Sequence, residues 1–389
     1  MSTDMEDIVI AGIGQVAVGE HWELSLRNLT ARAMLDALKD SGILKPQAIY
    51  AGSYLASVAS GQANLGALMA ECIGMSGVEA FTAEAGEASG AAALHLAVQA
   101  IRSGYVETAL VIGVEKYTDV VGSEMESYIA QSADYDFEGM QGLSMTGIAG
   151  LLMQRYLHEF KAPRQAFAAF PIVAHANAVN NPYAFYRRAI SEQDYQRAGL
   201  VCDPLNLYDV APYADGAAAL LVTRHGLLPK GYGHTVIKVS ASNLVTDSLS
   251  LHDRQNPLGF EAAHISAQRA YQQAGIAPER VDLFEYWDAY SIYAALELEA
   301  AGFAAVGEGW KLGQDGSLAL KGRIPVATLG GLKARGFPLG ATGVYQVADA
   351  ITQLRGQAGE NQVEGARVAL VQSLGGAAAT AVTHILQTV

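Results

Sequence analysis

The feature that most constrains the fold is that the chain resembles itself. Ala37-Leu38-Lys39-Asp40-Ser41-Gly42-Ile43, followed by Pro46 and Ile49-Tyr50, recurs as Ala270-Tyr271-Gln272-Gln273-Ala274-Gly275-Ile276, followed by Pro278 and Val281, with Gly42 and Gly275 separated by 233 positions. Further on, Gly86-Glu87-Ala88-Ser89-Gly90 with Ala97–Ile101 recurs as Gly336-Phe337-Pro338-Leu339-Gly340 with Val347–Ile351, at an offset of 250. Self-similarity at this length points to two copies of one supersecondary plan. Each half reads strand, helix, strand, glycine turn, long helix, strand. The spacing predicts strands at Ile8–Ile10 and Thr108–Ile112, with helices near 24–40 and 89–103. Their counterparts are strands at Val236–Val239 and Val368–Val371, with helices near 260–275 and 340–355. Apolar strands alternating with helices give an α/β architecture with buried sheets. The expected halves are 1–230 and 231–389, the first interrupted at about 120–205 by a Tyr-, Asn- and Met-rich insertion without a counterpart. Insertions of this kind often build ligand sites.

Composition excludes several function classes. The 389 residues are 51% hydrophobic and 16% charged, so the chain is not disordered, and this balance points to an apolar surface shared between subunits. A net charge of −14 repels nucleic acid and anionic membranes. Cys72 and Cys202 form no disulfide framework or zinc pattern, and the nine histidines show no ligand spacing, so no metal is expected. His95 reads as a core residue. No apolar run reaches the roughly 20 residues of a membrane span. The acidic Met1–Asp7 start lacks the character of a targeting peptide, which suggests a cytoplasmic protein. Gly12-Ile13-Gly14 follows a strand, but a helix does not open directly after it, so a plain turn is favoured over a dinucleotide fingerprint.

At the turn Gly86-Glu87-Ala88-Ser89-Gly90 small residues crowd a strand-to-helix junction and leave Glu87 as its one large polar side chain. Glu87 reads either as a charge favoured by a helix N-terminus or as a functional carboxylate, with Glu84 competing for the role.

These residues, together with Glu115-Lys116, Asn181-Pro182-Tyr183, Asp215-Gly216, Trp287-Asp288-Ala289-Tyr290, Gly330-Gly331-Leu332-Lys333 and Gly336–Gly343, resemble the thiolase superfamily over essentially the whole chain. The likeness is to the sterol-carrier-type thiolases and their archaeal and bacterial acetyl-CoA acetyltransferase-like relatives. It implies a duplicated, five-layered α/β/α/β/α fold with an inserted loop domain. It also implies that Glu87 stands where the family has its nucleophilic cysteine. By the same likeness Phe337 replaces the histidine of Gly-His-Pro, and Trp287 that of His-Asp-x-Phe. Ala327 replaces an asparagine, Ser373 the late cysteine of degradative members, and Ala289 an alternative acid/base cysteine. A nucleophile, its activating base and the oxyanion donors act as one unit, so their joint replacement removes ordinary thiolysis and Claisen condensation. Tyrosine-based aldolase chemistry is disfavoured because Trp287 and Phe337 carry no phenol; Tyr286 and Tyr290 could supply one only from a shifted loop.

The resemblance leaves two expectations. One is an acyl-CoA-binding, thiolase-like protein, acting as a homodimer or beside a small OB-fold acyl-CoA-binding partner. The other is an enzyme repurposed around Glu87 as base, for decarboxylation, proton abstraction or carbon-carbon lyase chemistry. No resident cofactor is implied beyond a coenzyme A ester as ligand. Arg187, Arg188 and Lys333 are candidates for its phosphates, against a reading as solvated surface charge.

Overall fold

The computed structural model describes residues 7–389, so the Met1–Glu6 stretch behind the localisation reading lies outside it. The strands are β1 (Ile8–Gln15), β2 (Ala48–Gly52), β3 (Glu79–Ala83), β4 (Thr108–Glu115), β5 (Leu200–Cys202), β6 (Leu205–Asn206), β7 (Gly216–Arg224), β8 (Ile237–Thr246), β9 (Leu283–Glu285), β10 (Val368–Gly375) and β11 (Thr380–Thr388). β5 and β6 pair with each other; the other nine form one sheet in the order β3-β2-β4-β7-β1-β8-β11-β10-β9.

The duplication is written into that order. From the outer edge inward, the first half runs third, second, fourth, fifth, first. The second half repeats this as a mirror image, its third strand reduced to one bridge between Phe284 and Val326. In each half the fifth strand, β7 or β11, runs antiparallel to its neighbours. The halves meet where β1 and β8 pair at Val9 and Lys238.

The four repeat helices occupy Leu26–Asp40, Ser89–Arg102, Glu261–Ala274 and Thr342–Leu354, close to the spans read from the sequence. Ser25 caps the first by accepting from the Asn28 N–H, and Leu26, Leu29, Ala33 and Ala37 supply its buried stripe. The repeated glycine has a defined job: Gly275 ends its helix at φ +66° and Gly42 follows its own at φ +78°, a conformation costly for residues with a Cβ.

Strand faces alternate between cores. Ala109 and Val111 of β4 pack inward with Val344 and Val347 of the Thr342–Leu354 helix, while Leu110 and Ile112 face outward with Leu29 and Met34. Likewise Val371 of β10 faces the central helices and Leu370 the outer layer. Helices therefore cover both faces of each half-sheet, and Ser89–Arg102 and Thr342–Leu354 form the middle layer. These two touch through glycine: a Cβ on Gly90 would lie 2.7 Å from the Gly340 oxygen, and one on Gly343 would lie 2.7 Å from the Ala91 Cβ. Between β4 and β7 the chain forms helices at Ser123–Ile129, Met145–Phe160, Ala169–Ala178 and Glu192–Arg197. Among the described residues no helix is long and apolar enough to cross a membrane, and no cluster of His, Cys, Asp and Glu could hold a metal ion.

Candidate functional site

Glu87 enters the middle layer just ahead of the Ser89–Arg102 helix, after Gly86 at φ +58°. Its side chain is buried and both oxygens are engaged: Oε1 accepts from the Ser132 hydroxyl at 2.8 Å and Oε2 from the Gly376 N–H at 2.7 Å. Burial pushes its pKa above the usual carboxylate range. The Gly376 N–H, its own N–H and Ser132 oppose that rise, whereas Glu84 adds to it. Desolvation thus outweighs the donors around it.

Trp287 and Phe337 are brought together. Their rings meet edge to face, with centroids 5.5 Å apart and planes at 87°, and both side chains are buried. Segment 210–213 pins them from outside. The Ala211 N–H donates to the Ala289 oxygen at 2.8 Å and the Phe337 N–H donates to the Pro212 oxygen at 2.9 Å. Tyr117 donates its hydroxyl to the Phe337 oxygen at 2.7 Å. Ser373 is not joined to this cluster: its hydroxyl donates to Gln346 Oε1 at 2.6 Å. Tyr290, in contrast, shares a 3.1 Å hydroxyl contact with Thr146.

A cavity of about 530 Å³ opens on the outer side of segment 210–213. Thr146, Val210 and Tyr213 line it together with His175, Arg188 and Lys333. Glu87 is not part of its wall. Of the three basic candidates the structure brings Arg188 and Lys333 to one cavity and leaves Arg187 in another, beside Asn180 and Glu360.

Lys333 is no surface charge: it is 2% exposed, its Nζ donating to the Asp209 oxygen at 2.8 Å and the Tyr208 oxygen at 3.3 Å. Burial lowers its pKa to about 8, against the pull of Asp288 and Asp209. The glycines before it explain its position. Gly330 and Gly331 have φ of +111° and +53°, and a Cβ on Gly331 would stand 2.6 Å from Asp288 Oδ2. Only a bare backbone admits the Asp288 carboxylate, whose Oδ1 accepts from the Leu332 N–H at 2.7 Å while Oδ2 has no hydrogen-bond partner among the described residues. His175 Nδ1 donates to the Arg188 oxygen at 3.1 Å, because a carbonyl can only accept; burial lowers its pKa and favours the uncharged ring, in which Nε2 is an acceptor.

Thr146, His175 and Tyr213 were not singled out from sequence. The insertion's composition marked the region of Thr146 and His175, Tyr213 lies just beyond it, and no spacing tells which of these side chains turn inward. Asp288 lay inside a quoted motif without a role.

Comparison with known proteins agrees with this architecture. The family model described as "Thiolase, N-terminal domain" matches residues 8–226, and "Thiolase C-terminal domain-like" matches 244–388. An acetyl-CoA acetyltransferase of Methanothermobacter thermautotrophicus is 35% identical, over 98% of this chain and 99% of its own. The benzoylsuccinyl-CoA thiolase subunit BbsB of Thauera aromatica is 32% identical, over 95% of this chain and 94% of its own. Among solved structures, the Ltp2-ChsH2(DUF35) aldolase superposes with a TM-score of 0.83 at 23% identity, covering 98% of each chain, which speaks to the fold alone. With a thiolase domain matched in each half and relatives aligned from end to end, this chain belongs to the thiolase family.

Proposed function

We propose that the protein binds a coenzyme A ester in the cavity lined by Arg188 and Lys333 and does not perform thiolysis or Claisen condensation through a covalent acyl-enzyme. The observation that carries this reading is the state of position 87. A carboxylate stands where the resemblance puts a thiolate, both oxygens are taken by Ser132 and Gly376, and it does not line the cavity. Trp287 and Phe337 offer no proton acceptor at the two histidine positions, and their rings are spent on each other. Ala327 offers no side-chain donor for an oxyanion. The relatives named acetyl-CoA acetyltransferase and benzoylsuccinyl-CoA thiolase subunit support a coenzyme A ester as ligand class. The purified protein is expected neither to cleave acetoacetyl-CoA with free coenzyme A nor to condense acetyl-CoA. Turnover within about a hundredfold of the typical roughly 10 per second would overturn this.

A second reading makes Glu87 a base for decarboxylation, proton abstraction or carbon-carbon cleavage beside a thioester. It is favoured by the carboxyl's raised pKa and by its electrostatic influence on the buried phenols of Tyr290 and Tyr293. The same fold carries a protein titled an aldolase. The reading includes partners as well: a two-fold dimer built on the β3 edge near Glu84–Gly86, or a small OB-fold acyl-CoA-binding protein. A neighbour whose title joins two components and a relative named as a subunit support an assembly.

A further inference from the structure

We propose that Lys333 does not hold a phosphate but is the residue that reads a carbonyl oxygen of the bound ligand, through the one N–H that the protein leaves unfilled. This rests on the reading that the cavity takes a coenzyme A ester and assigns the buried wall of that cavity.

An ammonium group has three donors. Among the described residues Lys333 Nζ meets two acceptors, the Asp209 and Tyr208 oxygens, and it lines the cavity. A phosphate monoester or diphosphate is strongly hydrated and multiply charged, and would have to lose its water to reach an amine that is 2% exposed. Charge also argues against an anion. The groups facing Lys333 are Asp288 behind it, His175 from the Ala169–Ala178 helix, and Arg188, Glu126 and Asp194 around the cavity wall. Burial favours the uncharged ring of His175, and the remaining charges around the amine are three acids, Asp288, Glu126 and Asp194, against one base, Arg188. Asp209 turns its carboxylate away, accepting from the Tyr195 hydroxyl at 3.0 Å. A neutral acceptor with one oxygen fits such a site. A coenzyme A ester offers two sources, the amides of its pantetheine arm and the carbonyls of its acyl group.

The amine is also a switch for that contact. Protonated, it gives two N–H groups to the backbone and a third to the ligand. Deprotonated, it still satisfies both backbone carbonyls, but it turns a lone pair toward the ligand oxygen. With a pKa of about 8, the ligand-binding form is present below that value and is lost as pH rises through it. Carbonyl binding in turn raises the pKa, so the loss shifts upward in the complex.

The test is calorimetric titration of the full-length protein with coenzyme A, acetyl-CoA and acetoacetyl-CoA between pH 6.5 and 9.5, repeated with Lys333→Met at pH 7. The expected result is affinity that is flat below about pH 8 and falls above it, with a slope approaching tenfold per pH unit for one proton until the raised pKa of the complex is reached. Lys333→Met should weaken binding at pH 7 and remove this slope. Equal loss for all three ligands places the contact on the pantetheine amides, and a loss confined to the esters places it on the acyl carbonyls. The wild-type pH profile stands by itself if Lys333→Met fails to fold. Wild-type affinity that is unchanged across pH 8 overturns the role of Lys333 while leaving the ligand class intact. Absence of binding by any of the three overturns the ligand class, and this inference with it. An affinity that rises with free phosphate charge, as for coenzyme A over its 3′-dephospho form, and vanishes in Lys333→Met would return Lys333 to the phosphates.

Discussion

Glu87 shows how one side chain's environment decides its job. The sequence places two opposing effects on it, desolvation and a helix N-terminus, and offers no way to weigh them. The structure does: the carboxyl is sealed under Ser132 and Gly376, and burial prevails. A carboxyl whose pKa is raised on folding contributes stability that is fully present below its unfolded value near 4.5 and is lost as pH rises through the folded value. Glu87→Gln keeps an acceptor for the Gly376 N–H, and Ser132 can turn its hydroxyl to the Ile129 oxygen, 3.1 Å away, to accept from the new amide. The variant is therefore expected to melt no lower than the wild type at pH 8, with the difference shrinking toward pH 5. A loss of melting temperature of equal size at both pH values would mean that the charge has no part in the site. Motif spacing in the sequence singles out Glu87, Trp287 and Phe337 as positions. The spacing does not give their surroundings: Trp287 and Phe337 pack on each other beneath segment 210–213, which lies just beyond the insertion, Glu87 is held by Ser132 and Gly376, and none of the three lines the cavity.

At the scale of elements, the central helices are held together by what is missing from them. Gly90 faces Gly340 and the Val344 Cγ2, where an added Cβ would sit at 2.7 and 2.9 Å. Gly90→Ala forces one helix away from the other across a fully packed layer and is expected to cost about 1 to 3 kcal/mol, measured by denaturant unfolding. Gly74→Ala meets no neighbouring atom but carries φ +68°, so it isolates backbone strain from crowding. A Gly90→Ala cost no larger than that of Gly74→Ala would refute tight approach as the reason for the glycine. These positions were legible because the two halves repeat them at a fixed offset. The shrunken third strand of the second half was not, since a single Phe284–Val326 bridge leaves no periodic trace.

For the whole molecule, the exposed edge of the sheet bears on assembly. β3 pairs with β2 on one side only, and Phe81, Leu96 and Leu249, each partly exposed, line a groove of about 630 Å³ with Glu84 and Gly86. An open edge beside apolar side chains favours association. Light scattering at micromolar concentration should give about twice the 40.9 kDa chain mass, and Phe81→Lys should lower it. A wild-type mass near one chain would remove the dimer from the proposal. The strand order has a consequence for how the protein is made. β1 leaves the ribosome before the other described elements, yet its partners are β7, with Ile8 opposite Arg224, and β8. At roughly 5 to 20 residues per second, the stretch of chain between those two residues takes on the order of 10 to 40 s to synthesise. Throughout that interval an apolar strand waits without its hydrogen-bonding neighbour, and the Ser89–Arg102 helix waits longer for its counterpart at Thr342–Leu354. Synthesis in the cell therefore leaves the interior of this molecule open over that interval, and a nascent apolar strand needs shielding throughout it.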